Sequence, residues 1–189
     1  MEVTKQHQTR ALEAQMTLLK LFQPALIPGL LQTPEYIRVI LSRHDLGEEV
    51  LTRTISARIE RQQVLYESDK TLHFIITENV LRWRIVSPAR MAEQIDRLIS
   101  LSRLPNIYIG IVPFTAQQTD IANHAFVIRD DRTVTVETVH AEVVVTDPRD
   151  VALYVRKFEG FASLALSGDD MRTMLEGARN DFLREQETG

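Results

Sequence analysis

Three dipeptides do most to limit how this chain can fold: Thr33-Pro34, Ser87-Pro88 and Asp147-Pro148. In each, a side-chain oxygen able to accept a backbone N–H precedes a proline. Proline has a fixed φ and no N–H, which suits the first helical position. Each pair therefore predicts a helix start: one for "PEYIRVILSRH", one from 88 through about 102, and one from 148 to about 165. The first pair lies in "LFQPALIPGLLQTPEY", residues 21–36, an apolar stretch broken by Pro24, Pro28 and Pro34. It reads as a rigid crossover. Leu26, Ile27, Leu30 and Leu31 tuck beneath helices, and Gly29 is expected to supply a backbone angle or close approach that other residues resist.

Hydrophobic spacing fills in the rest. Leu12, Met16 and Leu19 recur at the spacing of one helical face, which predicts a helix over residues 2–21. A further helix is expected over about 48–66, with Leu51, Ile55 and Ile59 as its stripe, and "RIERQ" (58–62) as a helix face whose alternating charge needs no more than solvation or helix pairs. "TLHFIIT" (71–77) and "NIYIGIVPF" (106–114) read as strands, "ENVLRWRIV" as a short helix. "HAFVIRD" and "TVTVETV" form a hairpin about Asp130–Arg132, "AEVVVTD" adds a strand, and "SGDDMRTMLEGARNDFLRE" closes the chain as a helix. This order predicts an α+β fold, helices packed on a mostly antiparallel sheet. It is one domain over 11–184, with tails at 1–10 and 185–189.

Composition removes several function classes. There is no cysteine, so disulfides, thiolate catalysis and cysteine-ligated zinc are excluded. No apolar run approaches the ~20 residues of a spanning helix, and "MEVTKQHQTR" is too polar for a signal peptide, so a cytoplasmic location and no membrane partner are expected. Net charge is −4: residues 1–50 carry 5 basic and 6 acidic side chains, residues 51–104 carry 9 and 6, and residues 105–189 carry 8 and 14. The concentrated basic face of a domain that grips DNA alone is missing, so no direct DNA binding by this chain is expected.

Motifs for chemistry are sparse. His140 and Glu142 lie two apart, but the deaminase reading of a His-x-Glu pair needs a cysteine pair to hold zinc. The helical His-Glu-x-x-His arrangement, the nucleophile elbow and the phosphate-binding glycine motifs are absent as well. We therefore expect no catalytic set, metal or cofactor. His73 reads as a packed or edge histidine. Glu78 follows an apolar strand, with Arg82 and Trp83 within about a turn; it either fixes a ligand or caps and ion-pairs within the fold. Polar residues beside apolar strands are the ligand-site candidates: Glu78, Arg82 and Trp83, then His124 and Phe126, then Glu137.

Several separated blocks keep order and spacing: "FQPALIPGLLQTPEYIRVIL", "ARIERQQVL", "FIITENVLR", "QIDRLISLSRLPNIYIGIVPF", "HAFVIRD" and "VETVHAEVVVTDPRDVALYVRKFEGFASLAL". Over about residues 10–180 the chain resembles the C-terminal domain of unknown function that follows an Xre-type helix-turn-helix in actinobacterial, antitoxin-like transcriptional regulators. The chain begins at what resembles the linker after that module. The resemblance implies an effector domain for ligand sensing, dimerisation or partner binding, with a homodimer, a small-molecule ligand and a small partner protein as expected associations. The competing expectation is a stand-alone enzyme or small-molecule-binding protein of secondary metabolism on the same domain, using Glu78 or His124 as acid–base groups.

Overall fold

A computed structural model describes residues 11–188. Its centre is a mixed six-stranded sheet in the order β3-β2-β1-β4-β5-β6. The strands are β1 (Leu18–Gln23), β2 (Thr71–Thr77), β3 (Ile107–Val112), β4 (Phe126–Arg129), β5 (Thr133–Glu137) and β6 (Glu142–Val145). The β1–β2 and β2–β3 pairs are parallel; β1–β4, β4–β5 and β5–β6 are antiparallel. The sheet is thus parallel on one side and an antiparallel meander on the other.

After a helical stretch α1 at residues 11–15, the helices are α2 (Pro34–Ser42), α3 (Glu48–Arg61), α4 (Glu78–Arg82), α5 (Pro88–Leu101), α6 (Pro148–Leu164) and α7 (Gly168–Thr188). All three cap-plus-proline starts are realised: Thr33, Ser87 and Asp147 accept from the backbone N–H of Tyr36, Arg90 and Arg149. Such caps contribute about 1 kcal/mol each. No helix among the described residues is long and apolar enough to cross a membrane.

Two layers sandwich the sheet. Leu19, Leu21, Leu72, Phe74, Ile76, Ile107, Ile109 and Ile111 pack with α5 and α7 residues such as Met91, Ile95, Met171 and Phe182. The alternate residues Phe22, Ile75, Phe126, Ile128, Val134 and Val136 pack with Val151, Phe158 and Phe161 of α6. Phe22 stacks on Phe161 at 4.2 Å. Ile37, Leu41, Leu51 and Ile55 close a smaller α2–α3 cluster.

Three expectations are corrected. The helix predicted over residues 2–21 stops at residue 15; residues 1–10, the expected tail, lie outside the described residues. Residues 18–23 are instead the central strand. Leu12, first of the expected stripe, is exposed, while Leu19 and Phe22 point to opposite, buried faces. A short apolar run satisfies either period, and pairing on both sides with β2 and β4 decides for the strand. The expected tail after 184 is helical through Thr188, and Glu185 pairs with Arg84 at 2.6 Å. Gly29 has neither a positive φ nor a neighbour within 4 Å of an added Cβ. Its contribution is its carbonyl, described below.

The start of β1 is held by the β4–β5 turn. Asp130, at φ 54°, accepts at one carboxylate oxygen from Thr17 N (2.9 Å), Leu18 N (3.0 Å) and Thr17 Oγ1 (3.2 Å). Aspartate tolerates this left-handed backbone better than most residues.

Candidate functional site

The expected ligand residues fall at one end of the sheet. Glu78 follows β2, Phe126 opens β4 and Glu137 ends β5; β1 runs parallel to β2 and antiparallel to β4, which brings these termini to the same end. They do not form one cluster. Strand β1 separates β2 from β4 by about 10 Å, two strand spacings.

Each has a specific local role. Glu78 Oε2 accepts from Phe114 N at 2.9 Å, tying the start of α4 to the chain leaving β3. Arg82 lies 3.7 Å from Glu78 and pairs at 3.0 Å with Asp181 of α7. Trp83 ends α4 and is 57% exposed. Phe126 is buried in the α6 layer. His124 sits edge-on to Phe126 at 6.3 Å and 6.0 Å from Tyr154. Its Nδ1 is 3.0 Å from the Ala125 carbonyl oxygen, which puts the proton on Nδ1. Glu137 stands opposite Glu142 across β5–β6, both exposed. The neighbouring loop is fastened by Lys157, which reaches Asp120 (2.8 Å) and Asn123 (3.0 Å). His73 packs between Phe158 (5.1 Å) and Tyr108 (6.0 Å); burial, then Lys20, lowers its pKa.

Sequence reasoning missed a second cluster, around residues 24–33. The segment "RIERQ" is only in part a solvated face: Ile59 and Glu60 are exposed, but its two ends are not. Arg61 pairs at 2.9 Å with Glu13, which is 1% exposed, and Gln62 is buried. Gln62 begins a 3-10 turn, Gln62–Tyr66. Its Nε2 donates to the carbonyls of Gly29 (3.1 Å) and Gln32 (2.9 Å). Gln94 of α5 donates to Leu31 O and accepts from Thr33 N, both at 2.8 Å. Gln32 donates to Ile27 O at 2.8 Å, and Ile27 N donates to Tyr36 Oη at 3.3 Å. The proline-rich crossover cannot form regular backbone pairs, so three glutamines satisfy its carbonyls. Only a buried glutamine among charged neighbours signalled this, and sequence alone does not show burial. Against this clamp lies a cleft of about 470 Å³ lined by Thr33, Tyr66, Arg97, Ser100, Leu101 and Leu104.

A third feature is the edge strand β6. Thr138 N donates to Ala141 O at 2.8 Å, closing a hairpin whose tip carries Val139 and His140. Antiparallel pairs alternate between bonded and non-bonded. Val136–Val143 and Val134–Val145 are then the bonded pairs, and the N–H and C=O of Glu142 and Val144 point away from β5. Val143 is 48% and Val144 57% exposed. Among the described residues no group of three potential metal ligands occurs, and His140 sits in the hairpin tip rather than beside Glu142 on a strand face.

Residues 6–177 match the family described as a domain of unknown function, DUF5753. The chain belongs to that family. No curated protein matches it. Among solved structures, this DUF5753 chain is similar to a phospholipase D family member, Nuc from Salmonella typhimurium, at TM-score 0.45 and 11% identity, covering 84% of this chain and 86% of that one. It is also similar to TrmBL2, an archaeal chromatin protein whose structure shows a novel mode of DNA binding, at TM-score 0.40 and 16% identity. That match covers 87% of this chain and 50% of TrmBL2. At these scores neither likeness bears on activity.

Proposed function

We propose that this DUF5753 domain is the non-enzymatic effector module of an actinobacterial, Xre-type, antitoxin-like transcription regulator, and that it joins a second copy of itself edge to edge through β6. The observation that carries the reading is the β6 edge. A strand with outward backbone donors and acceptors, exposed valines and no proline or lysine to blunt it is a template for strand addition. Antiparallel addition of a second copy is two-fold symmetric. With the axis at Val143, Glu142 of each copy pairs with Val144 of the other, so no like charges face each other.

The acid–base candidates support a binding role over catalysis. Glu78 is committed to Phe114 N and neighbours Arg82, and His124 Nδ1 to the Ala125 carbonyl. A regulator built on two-fold operators gains from a symmetric effector.

Sedimentation at micromolar concentration tests the reading. A species of about 43 kDa is expected, twice the 21.7 kDa chain. Val144→Pro removes an N–H that points away from β5, so the variant is expected to sediment at 21.7 kDa with its thermal melt preserved. A wild-type monomer at ~100 μM, well above the micromolar range in which such interfaces form, refutes the proposal. So does a Val144→Pro dimer of unchanged strength. Mobility shifts with duplex DNA at physiological salt are expected to show no sequence-specific complex for this chain alone.

A further inference from the structure

The cleft beside the proline-rich crossover carries an inference that does not rest on the β6 reading. Arg97 projects from α5 and has five N–H donors. Among the described residues it makes one hydrogen bond, from Nη2 to Gln62 Oε1 at 2.8 Å. Among the described residues its buried Nε has no acceptor, and no carboxylate lies within ion-pair distance of it. Most other arginines of the middle segment differ: Arg53, Arg61, Arg82, Arg84 and Arg90 all have carboxylate partners. A half-buried guanidinium with no counterion among the described residues, held in place by a neutral amide, is a charge arranged for something else.

The surroundings state what kind of ligand would complete it. Among the described residues Arg97 is the one charged residue lining the cleft. Its other walls are the Tyr66 ring, 57% exposed, and the side chains of Leu101 and Leu104. At the rim, Thr33 Oγ1 accepts from Tyr36 N and keeps its own proton to donate; Ser100 donates to Asp96 O and keeps lone pairs to accept. A single guanidinium matches a monoanion, and its planar fork matches a carboxylate. A flat aromatic wall with two leucines matches an apolar or aromatic body. We infer that this cleft is a binding site for a small aromatic monocarboxylate, its carboxylate on Arg97 and its ring against Tyr66, Leu101 and Leu104. Because Arg97 is held by Gln62, which also holds Gly29 and Gln32, the ligand would sit on the clamp of the crossover.

Titration of ¹⁵N-labelled protein with benzoate tests this, with benzyl alcohol, acetate and phenyl phosphate as comparison probes. Benzoate is expected to shift the amides of Tyr66, Arg97, Leu101 and Leu104 saturably, half-maximally near ~1 mM, as befits so small a ligand. Benzyl alcohol, lacking the charge, acetate, lacking the ring, and phenyl phosphate, a dianion before one cation, are each expected to bind at least several-fold more weakly. Arg97→Gln should weaken benzoate at least tenfold, and the same spectra report whether that variant is folded. Tyr66→Ala alters an exposed residue and should weaken benzoate several-fold, an independent check should Arg97→Gln lose its fold. The inference is overturned if benzoate gives no saturable shift by ~10 mM, ten times the expected midpoint. It is equally overturned if benzoate binds the folded Arg97→Gln or Tyr66→Ala variant as well as the wild type, or if any comparison probe matches benzoate.

Discussion

The sheet has two edge strands, and they are finished in opposite ways. In β3 every residue but Tyr108 is buried, and Ile111 exchanges two backbone hydrogen bonds with Leu166, at 3.0 and 2.8 Å. The link between α6 and α7 therefore seals part of that edge. In β6 no residue is fully buried, and among the described residues no backbone–backbone bond from a segment other than β5 reaches Val143 or Val144. The parallel half, covered on both faces and closed at its edge, carries the packing that holds the fold. The antiparallel half thins outward from β4 to β6, and the exposed Val143 and Val144 of its last strand are where the proposed pairing of two copies would form. The packed core and the proposed pairing edge therefore lie at opposite sides of one sheet.

Mutations can break or sharpen that contrast. The largest effect is expected from Phe22→Ala in central β1, which leaves a void against Phe161 and Phe126. Urea unfolding should show a loss of about 3–5 kcal/mol; a loss below ~1 kcal/mol would mean that the α6 layer does not anchor the sheet. Next comes Gly110→Ala at the sealed edge. An added Cβ would stand 2.7 Å from Ile75 Cδ1 and 3.0 Å from Ala165 Cβ. The isoleucine tip can move, but Ala165 sits in the segment that closes the edge. A cost of about 1–3 kcal/mol is expected, and an unchanged melt would show that the seal yields freely.

A pH effect tests the same region. The folded pKa of His73 is lowered by burial first and by the Lys20 charge second. Between its unfolded value near ~6.5 and that lower folded value the unfolded chain binds more protons. Stability contributed by neutral His73 is thus present above pH ~6.5 and lost as pH falls through the window. The slope should stay well below the limit of ~1.4 kcal/mol per pH unit, because the ring is partly exposed and its charge interaction is screened. His73→Gln should flatten this part of the stability–pH curve. An identical curve for the variant would assign the acid sensitivity elsewhere.

Glu78→Gln should cost less still, about 1 kcal/mol or under, since the amide oxygen can keep the bond from Phe114 N. A loss of several kcal/mol would show that its charge beside Arg82 matters more than the geometry suggests. Smallest is Val143→Thr on the open edge, expected within ~0.5 kcal/mol in chemical unfolding of the monomer. A larger change there would erase the distinction between the two edges.

Much of the fold was legible residue by residue. "TLHFIIT" coincides with β2, and the three cap-plus-proline pairs locate the starts of α2, α5 and α6, because those signals act within a few residues. The candidate sites were less legible. Glu78 stood out as a carboxylate beside apolar sequence, but the backbone N–H that occupies it comes from Phe114, 36 residues away. Gln62 read as part of a charged helix face, and nothing in the sequence singled out Arg97. Their roles exist only because α5 brings Arg97 to within 2.8 Å of Gln62, across 35 residues.

Local chemistry in the sequence determined the helix starts, the hairpin at Asp130–Arg132, the rigid crossover and the exclusion of cysteine chemistry. These depend on caps, prolines, turn residues and composition, which act over short range or not through space at all. The tertiary structure alone decided that Leu18–Gln23 is the central strand, since an apolar run of that length fits helix and strand equally until β2 and β4 supply partners. It alone decided how the two edges differ, because Leu166 reaches Ile111 across the fold, while among the described residues no such backbone pair caps Val143 or Val144 of β6. And it alone left Arg97 without a counterion among the described residues: whether a charge is paired is a matter of distances between elements, and no spacing along the chain encodes them.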